Sequence, residues 1–257
     1  MINTFAPHEI NVLENNYRLT FEKNCSYLSI QAIDLVNDEQ LKMFLTSIKE
    51  KTKSANLGVA ASLFVKRYSF GVLIVLYTMS VLNKRINYLM DNVSIQTLDE
   101  NDKLWLPRIN FNEMNLSSAP RGDRLNWVSE ILKEIFSNHI DVLFNHLNKV
   151  TKLSKKIMWE NLYTYIVWMY KNILQGTYCC NNTQNIKYDF EMIMMGKGEL
   201  FGDYEESPFI KFHSSMECSS ILEGTQFRKT CCLSYLTESK GLFCKNCPIK
   251  RKQKNKN

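Results

Sequence analysis

The run YSFGVLIVLYTMSVL, residues 68–82, is the most apolar stretch of the chain, and its reading decides the fold. Its fifteen residues fall short of the roughly 20 that a bilayer-spanning helix needs. Lys66 and Arg67 stop its extension on one side, and Asn83, Lys84 and Arg85 stop it on the other. It therefore reads as the buried half of a core helix over residues 58–82. The N-terminus has neither the basic start nor the apolar stretch of a secretory signal. The expectation is a soluble, cytoplasmic protein.

A chain of 257 residues with 45% apolar content can bury one large core and carry a small appendage. Upstream of the core helix, SYLSIQAIDLV (26–36) reads as a strand. Asn37 and Gln40 then form a capping box for a helix with Leu41, Phe44, Leu45 and Ile48 on one face. Downstream, residues 85–111 hold β-like runs broken by Asp-Asn and Asp-Glu-Asn-Asp turns, which predict a small antiparallel sheet of two or three strands. Residues 124–148 carry Val128, Leu132, Ile135, His139, Leu143 and His146 along one helical face. Residues 154–175 are apolar on nearly every side, as in a helix packed between other elements, and Gly176 ends it. The fold class expected is α+β: a mainly helical body (1–220) with a small antiparallel sheet, a C-terminal four-cysteine module (221–250) and a basic tail without structure (251–257).

The net charge of +6 sits at that end, because 245–257 holds six basic residues and no acidic one. The rest of the chain sums to zero, which argues against a nucleic-acid-binding body. The tail suits a solubilising end, an acidic protein partner or at most peripheral membrane association. Eight cysteines in a reducing compartment point to metal or redox chemistry rather than to disulfides. Four of them fall within RKTCCLSYLTESKGLFCKNCP (228–248): Cys231, Cys232, Cys244 and Cys247. So short a segment has no core of its own and needs a metal to organise it. Four thiolates suit tetrahedral zinc, and equally a 2Fe–2S cluster with two thiolates per iron. Adjacent side chains diverge along an extended backbone, so Cys231 and Cys232 demand an unusual turn. Spacing alone leaves both metals open. A redox dithiol at CKNCP lacks the βαβ context that such motifs have.

The CC-x11-CxxC pattern, preceded by RKT and followed by Pro, resembles the FhuF-type siderophore ferric reductases, whose usual spacing is CC-x10-CxxC. The similarity extends to SLFVKRYSFGVLIVLYTMS (62–80) and MWENLYTYI (158–166). The body is also similar to the C-terminal part of IucA/IucC-type siderophore synthetases. The resemblance implies a 2Fe–2S cluster on Cys231, Cys232, Cys244 and Cys247. It also implies one-electron reduction of a ferric siderophore, of hydroxamate or citrate type, inside the cell. No G-x-G-x-x-G is present, so electrons would come from a separate donor such as a ferredoxin or flavodoxin. The rival expectation is a siderophore-related binding protein with a structural zinc site and no redox activity.

Among cations, Arg67 inside the apolar helix and Arg121 and Arg124 in SSAPRGDRLNW are the candidates for an anionic substrate surface; Lys66 shares the helix with Arg67. Snorkelling or internal ion pairs are the plainer alternative for the helix cations. His139 and His146 lie about 10.5 Å apart along one helix, too far to share a metal, and read as core or boundary residues. Cys25, Cys218 and the pair Cys179–Cys180 read as ordinary thiols, and Trp105 as core.

Overall fold

A computed structural model describes residues 4–176, 182–213, 227–237, 243–244 and 246–254. At its centre is α3 (Leu57–Ser80), nearly all of whose residues are buried. Asn56 caps it, its side chain accepting from the Val59 N–H at 3.0 Å, which satisfies one of the donors a helix start leaves unpaired. By length and composition α3 could cross a membrane, but 89% of its most apolar window is covered by the rest of the protein. It is the core helix the sequence predicts. Gly71 is required where Tyr88 closes in: a Cβ there would lie 2.6 Å from the Tyr88 hydroxyl.

Among the helices packed around it are α1 (Pro7–Tyr17), α2 (Asp38–Lys51), α6 (Lys155–Gln175) and α7 (Thr183–Met195). Asn37 caps α2 by accepting from the Glu39 and Gln40 amides, and Ser154 caps α6. In chain order between α3 and α6, α4 (Arg124–Ile135) runs through a π-helical turn, Phe136–Asp141, into α5 (Val142–Thr151). The turn sets His139 between Tyr68 and Tyr88. The Tyr68 hydroxyl meets His139 Nε2 at 2.5 Å, and Nδ1 lies 2.6 Å from the Tyr88 carbonyl. Burial pulls the imidazole down to about 4, so it is neutral. Nδ1–H then donates to the carbonyl while Nε2 accepts from Tyr68. His146 pairs with Asp38 instead. Both histidines are structural.

The strands form two small antiparallel sheets. One has the order β1 (Ile30–Gln31), β3 (Val93–Gln96), β4 (Arg108–Phe111), with Ile95 opposite both Ile30 and Ile109. The other pairs β2 (Lys84–Ile86) with β5 (Leu116–Ser118). The fold is thus mainly helical with short antiparallel strands, as expected. Two expectations need correction. The strand over 26–36 is only β1; residues Ala32–Val36 coil into a 3-10 helix that buries Ala32 and Leu35. The tail does not begin unstructured at 251, because α8 spans Pro248–Lys254. Trp105 is wholly buried, its indole N–H donating to Thr97. The domain boundary expected near residue 220, together with Cys179, Cys180 and Cys218, lies outside the described residues.

Candidate metal centre

The cysteine segment lies across α3 and α6, and polar residues of both helices hold it. Ser62 and Lys66, one turn apart on α3, face it. The Ser62 hydroxyl donates to the Cys232 carbonyl at 2.8 Å, and Lys66 Nζ donates to the Ser234 hydroxyl at 2.8 Å. On α6, Asn161 donates to Ser62 Oγ at 3.0 Å and accepts from Arg228 Nη2 at 2.7 Å. Beside it, the buried Glu160 carboxylate accepts from the Lys229 N–H, the Thr230 N–H and the Thr230 hydroxyl. Arg228 Nη2 stands 3.5 Å from that carboxylate, both side chains being almost fully buried. A buried charge without a partner costs several kcal/mol; here RKT and the Glu-Asn pair of α6 answer each other.

The turn that adjacent cysteines demand is found just beyond them. Leu233 adopts the left-handed conformation, φ 60° and ψ 5°, which is uncommon for a residue with a branched side chain. It curls the chain so that the Leu233 N–H donates back to Cys231 Sγ at 3.3 Å. The second pair is set by a tight turn in which the Cys247 N–H donates to the Cys244 carbonyl at 3.1 Å. Pro248 then opens α8 at a position where its missing N–H costs nothing. Tyr235 stacks on Phe243 at 5.2 Å between centroids, and the Arg228 N–H reaches the Asn246 carbonyl. These contacts close the loop between the two pairs.

All four predicted sulfurs are brought together. The Cys232 thiol is in hydrogen-bond contact with Cys244, and the Cys231 thiol with Cys247. Cys232 is the sulfur whose pKa is lowered. Its ionisation is drawn down first by the hydrogen bond from Cys244, then by the Lys66 ammonium and by Ser234, against the effect of burial. The Ser234 hydroxyl is 3.3 Å from Cys232 Sγ. Cys244 is pushed up in turn by its bond to Cys232, and Cys231 by burial and then by the neighbouring sulfurs. Among the described residues, no three Cys, His, Asp or Glu side chains close on the position of a single ion. Two contacting pairs, with N–H and O–H donors aimed at sulfur, suit two irons holding two thiolates each better than one tetrahedral zinc. Cys25 is exposed and apart.

Two cavities open beside Cys244, with Lys66 in the wall of both. One, of about 430 Å³, is lined by Lys66, Arg67, Lys103, Ser234 and Phe243 among others. The other, of about 300 Å³, is lined by Phe70, Tyr165, Trp168 and Arg228 as well as by Cys232. Of the three arginines expected at an anion-binding surface, only Arg67 reaches this place. Arg124 forms a two-pronged pair with Asp189, both contacts at 2.7 Å, and also donates to Asn83. Asn83 lies past the far end of α3, on the order of 20 Å along the helix from Arg67. Arg121 is exposed in the loop before α4.

Sequence reasoning missed Ser62, Glu160, Asn161, Arg228 and Ser234 as supports of the site. A signal was present: a carboxylate in a helix apolar on nearly every side needs a cation, and RKT supplies one next to the cysteines.

The four-cysteine segment is thus a small unit carried by a helical body. Residues 228–248 match the family described as the FhuF 2Fe-2S C-terminal domain. The match bears out the FhuF-type resemblance and the 2Fe–2S assignment, and the expectation of zinc gives way to it. No curated protein matches the chain.

Proposed function

We propose that the protein is a ferric-siderophore reductase, transferring one electron to Fe(III) held in an oxygen-rich chelate and releasing Fe(II) inside the cell. The observation that carries the reading is the exposure of the site: two cavities end at Cys244, so a bulky chelate can approach the sulfur shell without unfolding anything. The cluster supplies single-electron chemistry when bound. Hard oxygen donors hold Fe(III) well and Fe(II) far less well, so one electron loosens the metal. The electron balance needs a reductant giving one electron per iron, and an acidic ferredoxin or flavodoxin fits the basic stretch from Lys250 onward.

Within this reading the chain's own residues have defined tasks. Cys231, Cys232, Cys244 and Cys247 hold the irons. The Leu233 amide and the Ser234 hydroxyl donate to sulfur, and Lys66 supports the charge there. Glu160, Asn161 and Ser62 fix the segment in place. The test is anaerobic stopped-flow mixing of the reduced protein with ferric trihydroxamate and ferric citrate-type chelates, with a ferrous chelator present. The visible spectrum should return to the oxidised form as Fe(II) appears. If no chelate speeds reoxidation beyond a buffer control while the iron content is intact, the proposal fails.

A further inference from the structure

The cavity on the Arg67 side of Cys244 has a charge that the reductase reading alone does not require. Its three cations come from two places: Lys66 and Arg67 on α3, and Lys103 on the loop before β4. Among its described lining residues there is no carboxylate; the remaining described walls are hydroxyls (Thr52, Ser234, Thr237) and apolar groups (Leu63, Leu104, Phe243). Lys66 is committed to Ser234 and to the sulfur behind it. Arg67 is the uncommitted one. Its Nη2 donates to the Leu104 carbonyl at 3.2 Å, while its Nε is buried with no hydrogen-bond partner.

The surroundings raise the potential further. Arg18 stands close enough to be repelled by both Arg67 and Arg108, and it also leaves a buried nitrogen, Nη1, without a partner. Asp102 attracts Arg67, but its oxygens already accept from the Leu104 and Leu106 amides. Burying an uncompensated guanidinium is unfavourable, and a bound anion reverses the penalty through charge-assisted hydrogen bonds. Three cations around one concave wall would discriminate strongly by ligand charge, since repulsion of a cation adds to attraction of an anion.

We propose that this cavity is the chelate-docking site and that it selects ferric complexes with net negative charge, of the hydroxycarboxylate (citrate) type, over neutral or cationic trihydroxamates. The inference rests on the reductase reading and names its substrate class. Arg67 would pair with a peripheral carboxylate in the two-pronged manner that guanidinium favours. Lys103, at the rim, would contribute mainly to encounter. The chelated iron would then sit against the Cys244 wall, the side from which an electron must come.

The experiment separates docking from chemistry by using gallium(III), which has the same charge as Fe(III) but accepts no electron here. Binding of gallium complexes of a citrate-type chelator and of a trihydroxamate to the iron-loaded protein is measured by equilibrium dialysis at low and high salt. The expected result is at least tenfold tighter binding of the anionic complex, lost progressively with salt. Arg67→Gln should weaken it about tenfold. Lys103→Gln, an exposed change with no bearing on folding, should weaken it two- to fivefold, with trihydroxamate binding unmoved by either. Equal binding of both complexes, or an unchanged affinity in a folded Arg67→Gln and in Lys103→Gln, overturns the inference. Reduction of ferric complexes is then followed with the same pair. Reduction at equal rates whatever the charge leaves the reductase reading standing and removes the anion site. Charge-selective gallium binding without reduction of any ferric complex does the reverse.

Discussion

Replacing Glu160 with Ala should release the cysteine segment while leaving the helical body folded. Glu160 lies on α6 with its carboxylate buried, and its partners are three donors of the Lys229–Thr230 backbone and side chain plus the Arg228 guanidinium. Removing one member of a buried ion pair costs about 3–5 kcal/mol, because the other charge stays buried and unanswered. Arg228 keeps its bonds to Asn161 and Thr164, which places the expectation near the lower end, about 3 kcal/mol. At 1.4 kcal/mol per tenfold, docking of the segment weakens roughly a hundredfold. The body's core does not depend on it, so the urea midpoint followed by helical circular dichroism should move little. Iron retained per chain after a chelator challenge, and protection of residues near 228 from protease, should both collapse. Glu160→Gln keeps the volume and one acceptor and should fall between. Removing both charges, Glu160→Leu with Arg228→Met, should cost less than Glu160→Ala alone, since no buried charge is left unpaired. If Glu160→Ala holds its iron as long as the parent protein, with unchanged protection, the clamp has no such role and the reasoning is wrong.

Single Cys→Ser changes at 231, 232, 244 and 247 should each deplete iron and acid-labile sulfide, whereas Cys25→Ser should retain both; full iron in any of the four would remove that residue from the ligand set. Lys66→Met should lower the reduction potential by about 50 mV, roughly 1 kcal/mol, the size expected for one partly screened charge linked to Cys232 Sγ through the Ser234 hydroxyl; a redox titration that gives the same potential would show that Lys66 only supports Ser234. His139 gives the body an acid limit. Its folded pKa of about 4 lies below the unfolded value of about 6.5. The unfolded state therefore binds the extra proton, and stability falls as pH drops from about 6.5 to about 4, by up to about 3 kcal/mol. The slope of stability against pH in that window should flatten in His139→Gln, and an unchanged slope would assign the acid sensitivity elsewhere.

Helices α2, α3 and α6 were legible because each has a mark that acts locally, whereas α1 and α7 were not anticipated. The apolar run announces α3, Asn37 announces α2, and the apolar stretch 154–175 with Gly176 after it announces α6. The cysteines were legible because two pairs of thiols in a short segment have few uses. What stayed hidden acts at a distance. The apolar surroundings of Glu160 signal that it needs a partner, but nothing near it in the chain says that the partner is the segment at Lys229, 69 positions away, nor that Ser62 reaches Cys232 across 170. The 26–36 segment misled for a different reason: alternating apolar residues also suit a short 3-10 turn once only two residues have a strand to pair with. Arg124 attracted attention by its place at a helix start, but its partner Asp189 belongs to α7, far along the sequence. Charged pairs between distant elements leave no periodic trace.

The clamp between α6 and RKT also sets an order of events during synthesis. At roughly 5–20 residues per second, the 69 positions between Glu160 and Lys229 take roughly 3–14 s to translate. For that interval the carboxylate has no basic partner from this segment and can stay hydrated, while α3 and α6 already have each other to pack against. The cysteines therefore arrive at a surface that is formed and charged, and they settle by displacing water rather than by joining a collapse. Iron delivery can follow docking without disturbing the core.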